Sequence, residues 1–425
     1  MRGPRVGRGD GRRVGVRAAG LALVGFLLSA QLAAADDAAG DHTRLGLNLS
    51  AEGRYREALA EFERAFALDP THPVLRRNLA HAYANLGGHL LATGAPGEAK
   101  AAFRAALDVG GEDPGLYVGL GAAALRQGET GEAFVALQAA SRLAQGRPEI
   151  LVLLGEVYQQ AGDAPRALEL WEEALRQRPE DRRLRERVER AARAARVEQR
   201  YELRESHHFH LAAGAEIPRA LQDEVLTLLE HAYQTVGYAL GYYPTNPVPV
   251  VLHSDEDFAT VAGLPHWVAG TFDAADGRIR VPVRGLSGMT ARLRAVLAHE
   301  YAHVVIAHLG RGRVPRWLNE GLAVHFEGGG PLAEAAARRV AASRPVPLAS
   351  LEGTLAQLQD SAAAEAAYAA SATATAVLLE RVGLQEVGRL LRRLGDGVPW
   401  ERAFEEAARM DLATFEREWQ ERLGR

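Results

Sequence analysis

The apolar positions of this 425-residue chain change their period once. From Ala39 to Asp181 they recur at helical spacing, and the same small and large positions return unit after unit. Gly46, Gly87, Gly121 and Gly155 mark one position of a first helix; Gly53, Gly94, Gly128 and Gly162 mark the turn after it, with spacings of 41, 34 and 34. A second helix gives Ala58, Ala99, Ala133 and Ala167, then Phe62, Phe103, Leu137 and Trp171, then Ala65, Ala106, Ala140 and Ala174. Small residues let two helices approach and large ones fill the gap, so each unit is predicted to be a helix pair. Four units align, 39–72, 80–113, 114–147 and 148–181, and the seven residues 73–79 add two helical turns between the first two. "DRRLRERVERAARAARVEQR" then alternates Arg with Glu, as a solvated helix closing the stack by residue 200 would.

After about Tyr201 the pattern is mixed. "HHFHLAA" (207–213) and "VPVVLH" (248–253) are short and rich in strand formers, with the helical run "RALQDEVLTLLEHAYQTVGYALG" between them. "GTFDAADGRIRVPV" places two strand-like arms around Asp276-Gly277 and predicts a hairpin. A long helix follows from near Thr290 to Gly310, which is expected to cap it, and Pro315 opens a shorter one.

The first half resembles the tetratricopeptide repeat, a helix-turn-helix unit of 34 residues, at every signature position over about 140 residues. The resemblance implies an all-α solenoid whose concave groove takes a peptide or protein partner. A helical spacer that binds nothing has the same sequence pattern.

Composition narrows the chemistry. Apolar residues make up 47%, charged residues 24%, and the net charge is −4, the balance of a folded protein with no indication of a nucleic-acid partner. With no cysteine, any metal must rest on His and carboxylate. Arginines from Arg2 to Arg17 precede the apolar run "AAGLALVGFLLSAQLAAA", and Ala33 and Ala35 give a small-x-small cleavage pattern. Residues 1–35 are therefore expected to be a signal peptide, the alternative being an uncleaved anchor. No other segment is expected to span a membrane.

In "AVLAHEYAHVVIAHLG" the rings of His299 and His303, four apart on one helix face, can converge on one ion, with Glu300 beside them. Alone, the segment also fits histidines on an ordinary helix. "VPRWLNEGLAVHFEGG" adds Glu320, a carboxylate that a second helix could return to that face. Two histidines and a carboxylate leave a zinc position open, as catalytic sites do, and also form the facial triad of non-haem iron oxygenases.

The pair "HEYAH" and "WLNEG" resembles the gluzincin metallopeptidases of the peptidase-MA-like type. The resemblance runs over most of 206–425, which it implies to be an α+β zincin-like domain with a small mixed sheet and a helical C-terminal subdomain, the whole domain occupying 201–425. It implies one Zn2+ on His299, His303 and Glu320, Glu300 as general base, a peptide or protein substrate, and Tyr368 as a donor to the oxyanion, this last competing with plain packing on an Ala-rich helix. The hairpin edge before the metal helix is implied to pair with extended substrate. Val324 stands where thermolysin-like sites carry a carboxylate, so what orients the ligand rings is open; Asn319, His325 and Glu327 are nearby candidates, each also readable as surface or packing, the reading expected first. His308 is read as a non-ligand. With no aminopeptidase motif, an exported endopeptidase is expected, against the alternative of a non-catalytic envelope scaffold working through its repeats.

Overall fold

The computed structural model describes residues 38–423 apart from 263–268, 275, 284, 329, 345 and 352–360. The expected signal peptide, 1–35, lies outside the described residues.

The helix pairs of the first half form as expected: α1 (Ala38–Ala51) with α2 (Tyr55–Leu68), α3 (Pro73–Thr93) with α4 (Pro96–Gly110), α5 (Pro114–Gln127) with α6 (Thr130–Leu143), and α7 (Pro148–Gln160) with α8 (Ala164–Gln177). Residues 73–79 are the first two turns of α3. Inside each pair the recurrent glycine lies against the recurrent large side chain. A Cβ on Gly46 would stand 3.0 Å from the Phe62 ring, on Gly87 3.1 Å from Phe103, on Gly121 2.6 Å from Leu137 and on Gly155 2.3 Å from Trp171. The closing helix is α9 (Arg182–Glu198), started by the Asp181 carboxylate accepting from the Leu184 N–H.

The second half is built on a five-stranded mixed sheet: β1 (Glu202–Glu205), β2 (Phe209–Ala213), β3 (Val248–His253), β4 (Thr271–Asp273) and β5 (Arg278–Pro282), in the order β1-β2-β3-β5-β4. β2, β3 and β5 run parallel; β1 and β4 are antiparallel edges. The expected hairpin is β4–β5. β1 was not expected, because "ELRE" offers no apolar alternation; its only large apolar side chain, Leu203, is 77% exposed. Alternation along β2, β3 and β5 sends Phe209, Leu211, Val250, Leu252, Ile279 and Val281 to one face, where they are fully buried.

Covering that face are α10 (Arg219–Leu240) and α12 (Ala291–Gly310), followed by α13 (Arg316–Glu327), α14 (Gly330–Ser343), α15 (Ser361–Val382), α16 (Leu384–Gly395), α17 (Trp400–Ala408) and α18 (Leu412–Leu423). A short α11 (Asp255–Ala262) follows β3. α12 packs on α10, α13, α16 and the β4–β5 hairpin, so Leu293, Leu297, Tyr301, Val304, Val305 and Leu309 are buried on several sides at once. Thr290 caps its start, its hydroxyl accepting from the Leu293 N–H at 3.1 Å. Its end corrects the sequence expectation: Gly310 is still helical and Arg311 takes the left-handed conformation, φ 47°. A Cβ on Gly310 would lie 2.1 Å from the Val314 side chain, so the glycine serves close packing there rather than chain reversal. A second correction concerns membranes. Ala362–Val382, within α15, is long and apolar enough to cross one, but most of it is buried against α13, α14 and α16. Its apolarity follows from core packing.

The repeats meet the second half at two places. At one, α9 and the residues after it reach β3, β5 and α11: Glu198 pairs with Arg278 and Arg280, and the Tyr201 hydroxyl lies 2.8 Å from His253 Nδ1 and donates to Asp257 at 3.0 Å. At the other, Arg313, in the turn between α12 and α13, donates to the Thr93 carbonyl at the end of α3 and to the Leu394 carbonyl of α16.

α13 is pressed onto α15 through Gly321, where a Cβ would fall 2.0 Å from Thr375 Oγ1 and 2.3 Å from the Ser371 carbonyl oxygen. A backbone carbonyl cannot swing aside, so Gly321→Ala must separate the two helices. We expect it to destabilise the fold by about 1–3 kcal/mol, read as a lowered denaturant midpoint; a wild-type midpoint would contradict this packing.

Candidate metal centre

α12 places His299 and His303 one turn apart and α13 returns Glu320 to their face. His299 Nε2 and His303 Nε2 are 3.1 Å apart, and Glu320 Oε2 is 3.6 Å from each. Ligand atoms about 2.0–2.1 Å from a tetrahedral ion stand about 3.3–3.4 Å from one another, so this triangle has the edges of one face of such a shell. Glu320 is 2% exposed, and Oε2 has no hydrogen-bond partner, since 3.6 Å is a charge contact rather than a hydrogen bond. Its other oxygen forms an ion pair with Arg316 Nη2 at 2.8 Å. A buried carboxylate oxygen without a donor, facing two imidazole nitrogens, fits a cation. His299, His303 and Glu320 are the group of His and acidic side chains among the described residues able to hold a metal ion.

The outer nitrogens are held as well. His299 Nδ1 bonds Glu327 Oε1 at 2.6 Å and His303 Nδ1 bonds Asn319 Oδ1 at 2.9 Å. Both contacts aim Nε2 at the common point, so of the three nearby candidates Asn319 and Glu327 orient the rings, against the surface or packing reading expected first. Sequence pattern could name them as neighbours but not choose between them, because neither occupies position 324; Glu327 comes round two helical turns after Glu320. His325 meets the Phe326 ring. His308 bonds the Val304 carbonyl and stacks on Tyr242, away from the centre, as expected of a non-ligand.

Glu300 is buried between α12 and edge strand β4, accepting from the Phe272 N–H. Burial raises its pKa and Glu320 adds to this, opposed by His299 and His303. A Cβ on Gly270 would stand 3.2 Å from Glu300 Oε1, so a bare backbone borders the carboxylate. Neither Gly270 nor Phe272 stood out in the sequence. Tyr368, on α15, has its ring centre 6.5 Å from that of His299, and burial together with Glu320 and Glu300 raises its pKa, so its phenol keeps its proton at neutral pH.

Residues 265–424 match the family model described as Peptidase MA superfamily, and residues 49–87 and 124–188 match the tetratricopeptide repeat. The chain joins tetratricopeptide repeats to a Peptidase MA superfamily domain. Among curated proteins none matches. Similar solved structures include a thermophilic tetratricopeptide-repeat protein of Thermus thermophilus, 26% identical over 36% of this chain and 98% of that one, with a TM-score of 0.24. Another is the MamA protein, 21% identical over 36% of this chain and 80% of that one, with a TM-score of 0.31. The repeat assignment rests on the family match and the packing above, not on these superpositions. The centre lies wholly within the Peptidase MA domain, and the superfamily is generally metal-dependent.

In metal-free protein, burial works to lower the His299 pKa, but the adjacent Glu320 carboxylate, the hydrogen bond to Glu327 and the charge of Glu300 push it up to about 10. Glu320 lies well below the carboxylate range: burial would raise it, and His299, His303 and Arg316 outweigh that. A raised folded pKa stabilises fully below the ordinary 6.5 and is lost as pH climbs toward about 10. Glu320 has the opposite sign, stabilising above its ordinary 4.5 and losing this in acid. Chelator-treated wild type should therefore lose melting temperature more steeply between pH 6.5 and 10 than His299→Gln; parallel curves would contradict the contacts. Asn319→Ala and Glu327→Ala should each weaken divalent-metal affinity by about 10–100-fold, measured against a chromophoric chelator; wild-type affinity in both would show that the rings need no outer support.

Proposed function

We propose that the Peptidase MA domain is a zinc-dependent endopeptidase, exported from the cytoplasm, whose repeats recruit its substrate or a protein partner. The observation that carries the reading is the buried, donorless Oε2 of Glu320 facing the Nε2 atoms of His299 and His303, with the Glu300 carboxylate beside them. Those three atoms would hold one Zn2+, which as a Lewis acid lowers the pKa of water and polarises a carbonyl.

The chain's own residues supply the rest. Glu300 holds its carboxylate in a dry pocket, where its raised proton affinity suits it to take a proton from the attacking water and return it to the leaving amine. Tyr368, protonated at neutral pH, would donate to the oxygen on which charge develops. Phe272, on edge strand β4, lies beside Glu300, so substrate laid along β4 would pass the reacting groups. Zinc rather than iron is favoured by Glu300, for which an oxygenase triad has no role. Arginines before an apolar run at residues 1–35 support export to the periplasm or beyond, and the repeats support a protein partner.

Glu300→Gln should keep zinc at one per chain and lose cleavage of a mixed peptide library by a factor of about 10²–10⁴. His299→Ala and Glu320→Ala should lose both metal and cleavage. Full activity in Glu300→Gln would sink the mechanism, and wild type that holds zinc yet cleaves no peptide would sink the peptidase reading.

A further inference from the structure

Arg316 stands where the energetics of a helix do not ask for it. It is the first residue of α13, and a cation in the first turn opposes the helix dipole. Its acidic partner Glu320 comes four residues later, and a cation ahead of an acid is the weaker order for such a pair. The side chain is also largely withdrawn from water, 29% exposed, and its Nε is buried without a partner. A guanidinium desolvated against local preference has to be explained by what it faces.

It faces the far side of a candidate ligand. Nη2 of Arg316 pairs with Oε1 of Glu320 at 2.8 Å, while Oε2 is the oxygen turned to the Nε2 atoms of His299 and His303. The two oxygens of one carboxylate are thus divided, one to the guanidinium and one to the centre. The charge of Arg316 reaches further still: burial, Glu320 and Glu300 raise the Tyr368 pKa, and Arg316 opposes them.

Charge balance supplies the reason. Three carboxylates stand around the ligand rings: Glu320 faces both, Glu327 holds His299 Nδ1, and Glu300 lies beside them under the Phe272 N–H. A divalent ion answers two of these negative charges, and among the described residues Arg316 is the guanidinium that answers the third. Without it the loaded site would keep an excess negative charge, and Oε1 would be free to turn to the ion beside Oε2. A carboxylate that grips with both oxygens fills the position a catalytic site keeps open. We infer that Arg316 is a positioning residue of the metal centre: it holds Oε1 of Glu320 so that the ligand offers the ion one oxygen, and it brings the loaded site to zero net charge. The inference rests on the metal part of the proposed function and not on peptide cleavage.

The test titrates full-length, metal-stripped protein with Zn2+ and with Co2+ against a chromophoric chelator. Arg316→Met removes the charge and keeps an unbranched chain. It should bind both ions about tenfold more tightly than wild type, because a divalent ion gains twice what a competing proton gains when a nearby positive charge is lost. A residue that merely supports a ligand has the opposite sign, its loss weakening affinity by about 10–100-fold. The visible bands of bound Co2+, which lose intensity as coordination rises above four, should be weaker in Arg316→Met. Arg316→Lys should return affinity and bands toward wild type. If Arg316→Met does not fold, Arg316→Gln removes the same charge and should tighten binding likewise. Weaker binding in the neutral variants, or wild-type affinity with wild-type bands, would overturn the proposal. A wild type that takes up neither ion would sink it together with the zinc reading. Wild type that holds zinc and cleaves no peptide removes the peptidase reading alone and leaves Arg316 in its role. Where cleavage is present, Arg316→Met should lower kcat with KM little changed.

Discussion

Everything around the metal centre is arranged about one buried carboxylate oxygen with no hydrogen donor, Oε2 of Glu320. A carboxylate stripped of water costs several kcal/mol unless charge of the opposite sign meets it. Here that charge is divided among two imidazoles, one guanidinium and the place for a cation. The oxygen stays where it is because α13 cannot move: Gly321, the next residue, brings the helix to within backbone contact of α15. The motif "WLNEG" is thus mechanical as well as chemical. Trp317 stacks on Phe415 and meets Trp400, Leu318 and Leu322 fill the core, Asn319 steadies a ligand ring, and the glycine sets the helix spacing.

The parts of this molecule that were legible in the sequence are those in which one residue type at one spacing has a single physical use. A glycine recurring sixteen residues before a large apolar side chain means a helix pair, and Gly46–Phe62 through Gly155–Trp171 pack in that manner. Two histidines four apart on a helix share a face, and His299 and His303 do so. What stayed hidden depends on where a chain returns in space. Glu327 reaches His299 across 28 residues, and Phe272 reaches Glu300 from a three-residue strand. β1 carries no apolar face because water covers it, and the left-handed end of α12 falls on an arginine, Arg311, which local preference assigns to no such place. The apolarity of α15 points the opposite way from its burial, since a helix enclosed by others reads like one enclosed by lipid.

The mixed sheet has two different faces, and the division explains the layout of the second half. Its apolar face takes α10 and α12 and fixes the metal helix against the strands. Its other face carries His210, Arg278 and Arg280, which would be odd choices for a core; Arg278 and Arg280 are buried there against Glu198 of α9. β4 belongs to both, because an edge strand of three residues is bordered on one side by the repeats and on the other by Glu300.

Fixing the repeats at two points has a consequence for how such a chain can evolve. Helical-repeat arrays ordinarily gain and lose units freely, since each repeat touches only its neighbours and an extra one merely lengthens the stack. Here the distance from the end of α3 to α9 is set by the peptidase fold, which holds Thr93 at Arg313 and Glu198 at Arg278 and Arg280. Duplicating or deleting a unit between those anchors would detach one of them. Variation in length is therefore directed outward, to the stretch before α3, and the seven-residue extension at 73–79 lies at that boundary.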